Sequence, residues 1–166
     1  MATPTTLPAT FVSGAVLTAA QMNDLRGAFR VLQVFTRTTS EEKTNSTTTL
    51  EDTTLTAPIT PTSTASKILV FVNHPSCDKS AGNSQNALTL ELHRGASYIY
   101  TIGSGIGFMN SAVRLIFAVH ATFLDSPASV AALVYKTKFA NQTAAGAVTV
   151  QQTSNVSTIT LMEISA

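Results

Sequence analysis

The stretch VRLIFAVHATF, residues 113–123, alternates along its whole length. Its odd-numbered residues are all apolar, whereas its even-numbered positions include Arg114, His120 and Thr122. Successive side chains of a β-strand point to opposite faces, so a period of two predicts a strand with one buried face. The apolar run is also too short to span a bilayer as a helix. The segment therefore predicts a long strand that packs on a core.

The segments on either side of this strand carry related patterns. Leu88, Leu90 and Leu92 alternate with polar residues, and residues 67–72 are apolar on both faces, as expected inside a sandwich. Polar or Gly-rich stretches at 73–86 and 103–111 predict loops. The whole pattern predicts an antiparallel jelly-roll sandwich of about eight strands. Its other predicted strands are residues 31–38, 47–51, 55–59, 98–102, 131–139, 148–152 and 157–164.

The N-terminal part follows a different period. Thr18 and Gln21 fit a capping box, and Met22, Leu25 and Phe29 recur at helical spacing. A helix this short is marginal alone in water, so its apolar stripe needs a partner. The chain therefore divides into an arm with an amphipathic helix, residues 1–30, and a jelly-roll domain, residues 31–166.

The composition restricts the class of protein. Charged residues make up 11% of the chain and the formal net charge is +1, which leaves no basic surface for nucleic acid. Thr supplies about a sixth of the residues; it favours strands and hydrates a surface without charge. Cys77 is the only cysteine, so no disulfide can form within the chain. Residues 1–10 lack the regions of a signal peptide. We expect a protein made and folded in a cytoplasm, with no insertion into a membrane.

Few residues fit a catalytic or metal site. His74 and Cys77 stand three apart, but a zinc site needs two further ligands and no second close pair exists. Ser126, His120 and Asp125 can be assembled into a nucleophile–base–acid set, yet no nucleophile elbow is present. The sequence therefore predicts no enzyme activity, no metal and no cofactor.

Three charged residues lie in or beside apolar strands, where an unpaired charge is costly: Arg94, Arg114 and Glu163. One interpretation is that each points to solvent. The other is that Glu163 pairs with an arginine across a subunit interface, so that all three residues mark a trimer contact.

Three aromatic residues flank the Gly-rich segment 103–111: Tyr98, Tyr100 and Phe108. Aromatic rings beside a polar loop can stack on sugar rings, which makes them candidates for contact with a receptor. Packing in the core or at an interface is the alternative interpretation.

Two segments resemble known proteins. The stretch FVSGAVLTAAQMNDL, residues 11–25, resembles an N-terminal segment common in bacteriophage tail, fibre and minor virion proteins, with the pattern F-x-x-G-x-x-L-T-A-A-x-x-N. The matching residues are Phe11, Gly14, Leu17, Thr18, Ala19, Ala20 and Asn23. The resemblance implies that residues 1–30 attach the chain to the virion, with the apolar residues Phe11, Leu17, Met22, Leu25 and Phe29 as the anchor.

The rest of the chain resembles a phage family with a C-terminal jelly roll similar to tumour-necrosis-factor and C1q heads. The stretches that carry the likeness are VLQVFTRTT (31–39), LTAPITPTSTASKILVFV (55–72), LELHRG (90–95), FLDSPA (123–128) and VSTITLMEI (156–164). The resemblance implies a homotrimer on a virion surface, with the jelly rolls packed around a three-fold axis.

These expectations combine into one function with two alternatives. We expect a structural virion protein, a trimeric short tail fibre or tail-associated protein that contacts the host surface. Its expected partners are copies of itself, other virion proteins through residues 1–30, and a host surface glycan. The alternatives are a capsid decoration or head-fibre protein and a carbohydrate-binding module.

Overall fold

A computed structural model describes residues 30–165 together with Gly14, Val16, Thr18 and Ala19. The predicted arm and helix lie outside the described residues apart from those four positions. The five anchoring residues Phe11, Leu17, Met22, Leu25 and Phe29 are among the residues not described, so their role stays a prediction. Among the described residues, no helix has the length and apolar character needed to cross a membrane.

Residues 30–165 form two antiparallel sheets. The first sheet has the strand order β1-β10-β4-β9-β2, and β7 pairs with β4; the second has the order β3-β8-β5-β6. A short 3-10 helix, Gln152–Ser154, precedes the last strand. The strands are β1 (Val31–Thr39), β2 (Lys43–Asn45), β3 (Glu51–Ile59), β4 (Lys67–Lys79), β5 (Leu88–Arg94), β6 (Ser97–Ile106), β7 (Leu115–Asp125), β8 (Leu133–Asn141), β9 (Val148–Val150) and β10 (Ser157–Ile164).

The connections between these strands make the sandwich a jelly roll. Four long strands of each sheet face each other, β1-β10-β4-β7 and β3-β8-β5-β6, and the chain passes from one sheet to the other between most of them. Among the strands of residues 30–165, only β5 and β6 form a tight hairpin within one sheet. This order is the double Greek key of an eight-stranded jelly roll, so the predicted fold class is confirmed.

The core lies between the two sheets and is filled by the inward positions of alternating strands. One cluster of buried residues includes Leu55, Ile68 and Leu161; the other includes Leu90, Phe139 and Val148. The odd-numbered residues of β7 face this core as predicted, and Val119 is buried in the second cluster.

The prediction was wrong at two boundaries. Residues 73–79 were expected in a loop but extend β4, because they pair with β7 on one edge and with β9 on the other. A strand was expected at 47–51, whereas β2 lies earlier and β3 begins at Glu51. In both places the partner strand lies far along the chain, so a local pattern of polar residues does not reveal the pairing.

Candidate functional site

The outer face of the first sheet carries an apolar row that crosses four strands. The register places Val34 opposite Met162, Met162 opposite Leu69, and Leu69 opposite Leu124. Residues paired directly in this way share one face of the sheet. We call the outward positions of β1, β10, residues 67–73 of β4 and residues 120–125 of β7 the apolar face.

This apolar row is not covered by the described part of the chain. Val34 is 51% exposed and Leu124 is 48% exposed, while Leu69 and Met162 are half-buried by their neighbours. The next row places Phe71, 39% exposed, between Thr160 and Thr122. An antiparallel sheet with one solvated face normally turns polar residues outward. A contiguous apolar patch of this kind is typical of an interaction surface.

The apolar face carries little charge. A third row aligns Thr38, Thr158, Asn73 and His120. Lys67 and His120 are the only ionisable side chains at the outward positions that define this face. A covering partner would therefore meet few charges that lose their hydration, which is the composition found at the centre of stable interfaces.

The outer face of the second sheet has the opposite character. One row aligns Asp52, Lys138, Glu91 and Thr101, and the next aligns Thr56, Lys136, His93 and Tyr98. The Asp52 carboxylate lies 2.9 Å from the Lys136 ammonium and 3.8 Å from that of Lys138. Glu91 lies 2.9 Å from His93 Nε2. We call these outward positions the charged face.

Glu163 lies beneath the apolar face and makes hydrogen bonds within its own chain. Gln33 Nε2 donates to one carboxylate oxygen at 2.5 Å, and the backbone N–H and hydroxyl of Thr62 donate to the other at 2.7 Å. Burial acts to raise the pKa of this carboxyl, but hydrogen bonds from Ser66, Thr62 and Gln33 outweigh it and lower the pKa. Glu163 is fully buried, and its partners are these groups rather than an arginine. Its role in a trimer contact stays a prediction.

The two arginines also have acidic partners within the chain. Arg94 pairs with Asp125, whose carboxylate also accepts from the Tyr135 hydroxyl at 2.5 Å. Burial and the hydrogen bond to Asp125 raise the pKa of Tyr135. Arg114 pairs with the buried Asp78. Both arginines are therefore paired within the chain, and their role at a trimer contact stays a prediction.

The three candidate receptor aromatics do not form one surface. Tyr98 is 56% exposed on the charged face, where it meets the His93 ring edge-on at 6.0 Å. Tyr100 points the other way and stacks on Phe123, with ring centroids 4.9 Å apart. Phe108 lies in the segment after β6 and is half exposed. Residues 103–111 were expected to form a loop, but β6 extends through residue 106, so the loop begins later than expected.

A buried polar cluster between the sheets was not expected from the sequence. His74 Nε2 lies 3.1 Å from Thr137 Oγ1, and its Nδ1 lies 2.9 Å from Ser157 Oγ and 3.0 Å from the Gln151 amide. Burial, with a smaller contribution from His120, lowers the pKa of His74 to about 4. The ring is therefore neutral at pH 7. The signal that could have indicated this cluster is a histidine at an inward position of β4.

His74 and Cys77, the pair considered as metal ligands, lie in different environments. His74 belongs to the polar cluster, whereas Cys77 is buried in the second core cluster. Burial and the nearby Asp78 raise the pKa of the Cys77 thiol to about 12, so it is protonated at neutral pH. The described residues contain no group of three or more His, Cys, Asp or Glu side chains placed to bind a metal ion.

The chain was compared with known proteins. No protein-family model matches it, and no curated protein matches it. Fourteen chains of solved structures match. One is the infectious bursal disease virus VP2 subviral particle, with a TM-score of 0.43 and 8% sequence identity. The match covers 80% of this chain and 39% of the VP2 chain, so this chain spans well under half of that protein. A likeness at this level carries no argument about function.

Proposed function

We propose that this protein is a non-enzymatic structural component of a bacteriophage virion, and that it assembles as a homotrimer through its apolar face. The observation that carries the proposal is the row Val34–Met162–Leu69–Leu124, which crosses four strands of the first sheet and is left uncovered by the described residues. Removing apolar surface from water contributes roughly 25 cal/mol per Å², so covering this row by further copies stabilises an assembly.

A second copy of the chain is the occupant that the face fits best. The row is flanked by Thr36, Thr160 and Thr122, which can be buried without removing charges from water. In a closed ring of three, each subunit contacts its two neighbours through two different parts of its surface. A broad apolar face turned towards the three-fold axis can supply both parts. The resemblance to trimeric phage jelly rolls supports three copies.

The finer role that we propose is a short tail fibre or tail-associated protein that contacts the host surface. Residues 1–30 would attach it to the particle, with Phe11, Leu17, Met22, Leu25 and Phe29 as the anchor. Support for this division comes from the resemblance of residues 11–25 to the N-terminal segments of phage tail and fibre proteins.

The first test is the mass of the full chain in solution. Light scattering behind size exclusion is expected to give about 52 kDa, three times the 17.4 kDa of one chain. A monomer at tens of micromolar would overturn the trimeric assembly and assign the apolar face to residues 1–29 or to another protein.

The second test locates the protein on particles. Gold-labelled antibody against the purified protein is expected at the tail tip or baseplate. Label spread over the head would replace the tail role with capsid decoration. Particles without label, in a lysate where the antibody detects the protein, would overturn the virion role.

A further inference from the structure

We infer that a groove on the charged face binds a neutral saccharide. The inference deepens the proposed function, because it names a ligand class and a site for the contact with the host surface. It depends on that function only for the biological source of the saccharide, since the groove belongs to a single chain.

The groove arises from an irregularity in β3. Asp52 pairs with Lys138 and Thr56 pairs with Lys136, so four steps along β3 match two along β8. The extra residues include Thr54, which adopts a left-handed backbone (φ 67°) and bonds to the Thr39 hydroxyl at 2.9 Å. A bulge of this kind bends the strand and turns side chains away from the regular sheet.

The groove that results is lined by both apolar and polar residues. Val134, 42% exposed, supplies most of the apolar side-chain surface, and Thr56, Asp52 and Lys136 supply polar groups. Concave sites that are mostly apolar, with a few polar groups for orientation, are typical of small-molecule binding. A sugar ring has the matching chemistry, since its C–H groups suit the apolar part of the lining and its hydroxyls suit the polar groups.

The charges around the groove favour a neutral ligand. Two carboxylates, Asp52 and Glu91, share the face with two ammonium groups, Lys136 and Lys138. An anionic ligand would meet both signs, and so would a cationic one. Neutral hydroxyls can donate to a carboxylate and accept from an ammonium at the same time, and hydrogen bonds to charged groups are the stronger kind.

A second set of groups lies along the same row of the sheet. From Thr56 the row passes through Lys136 and His93 to Tyr98, about 14 Å at the usual strand spacing. Tyr98 is 56% exposed. An exposed aromatic ring at this distance from the groove suits an oligosaccharide of a few rings rather than a single sugar.

The test uses the full chain on a printed array of neutral and acidic oligosaccharides. Asp52→Asn removes the charge at the groove, and Tyr98→Ala removes the exposed ring. Two variants serve as matched controls. Glu41→Gln alters another exposed carboxylate that is paired with a lysine, Lys43 at 2.5 Å, and Val156→Ala shortens an apolar side chain that is 51% exposed and lies outside the groove lining.

The wild-type protein is expected to bind at least one neutral oligosaccharide. Asp52→Asn and Tyr98→Ala should each weaken that binding at least tenfold, while Glu41→Gln and Val156→Ala stay within twofold. Circular dichroism of each variant verifies the fold. The inference is overturned by absence of binding to every neutral glycan, by binding restricted to acidic glycans, or by equal behaviour of test and control variants.

The same samples separate this inference from the proposed function. If the protein binds a saccharide but is monomeric and absent from particles, the saccharide site is supported and the virion role is overturned. A trimer on the particle that binds no neutral glycan would do the reverse.

Discussion

The two outer faces of this sandwich are built from the same strand alternation but differ in chemistry. On the first sheet, the outward positions across β1, β10, β4 and β7 are Val, Met, Leu and Leu in one row. On the second sheet, the matching positions across β3, β8 and β5 are Asp, Lys and Glu. A sheet that is apolar on both faces is normally covered on both sides. The difference therefore distinguishes the face that we propose for assembly from a face of balanced charges that water can hydrate.

The largest expected effect is on assembly. Leu69→Asp combined with Leu124→Asp places two charges in the apolar row, and burying them in a subunit contact is costly. The mass measured by light scattering should fall from that of three chains to that of one. Val134→Asp is the matched control, because Val134 is 42% exposed on the charged face and its substitution should leave the trimer intact. A double variant with native circular dichroism and unchanged mass would break the comparison.

The next effect concerns the buried carboxylate beneath the apolar face. Glu163→Gln removes the charge from the hydrogen bonds with Thr62 and Gln33, and such bonds contribute about 1.5–3 kcal/mol each. We expect the free energy of unfolding in urea to fall by about 2–3 kcal/mol, with the mass of the assembly unchanged. Loss of the trimer at unchanged chain stability would instead support the predicted interface role of Glu163.

A comparable effect should appear with pH, through the histidine that lies between the two sheets. The pKa of His74 is about 4 in the folded chain, below the unfolded value of 6.5. The unfolded chain therefore binds a proton first, and stability falls as the pH decreases from 6.5 towards 4. Between pH 6.5 and 5 the loss should be about 1.6 kcal/mol.

Urea unfolding of the wild type and of His74→Gln, at one protein concentration and both pH values, measures this contribution. The variant should lack this part of the pH dependence, although it is less stable at pH 7. An equal pH dependence in the two proteins would show that other groups cause it.

The smallest effect is expected on the charged face. Asp52→Asn breaks the pairs with Lys136 and Lys138, but the Asp52 side chain is 52% exposed. Exposed ion pairs contribute between ~0 and ~1 kcal/mol, and salt weakens them. We expect a change in unfolding free energy below about 1 kcal/mol that shrinks further in high salt. A larger loss would mean that this face is structural rather than a solvated surface.

Much of the sandwich could be predicted because many of its strands show a local alternation of apolar and polar residues. The patterns of residues 113–123 and 157–164 predicted β7 and β10. The second half of β4 could not be predicted, since His74, Ser76 and Asp78 are polar residues that are buried beside distant strands. The anchoring residues of the N-terminal segment stay predictions.

The two candidate surfaces could be predicted less well than the strands, because they depend on the tertiary structure. The sequence contains Val34, Leu69, Leu124 and Met162 without any sign that they form one row, because their alignment comes from the register of three separate ladders. In the same way, Asp52 and Glu91 lie on one face, on either side of Lys138, because β8 lies between their strands.

What the sequence by itself determined is the class of fold and the inward positions, since a period of two and apolar content are local properties of the chain. What only the tertiary structure decided is the order of the strands and the partner of each charge. Those depend on contacts between residues far apart, such as Glu163 with Thr62 and Arg94 with Asp125. The same long-range pairing placed an apolar row, which the described residues leave uncovered, on one side of the sandwich and a balanced set of charges on the other.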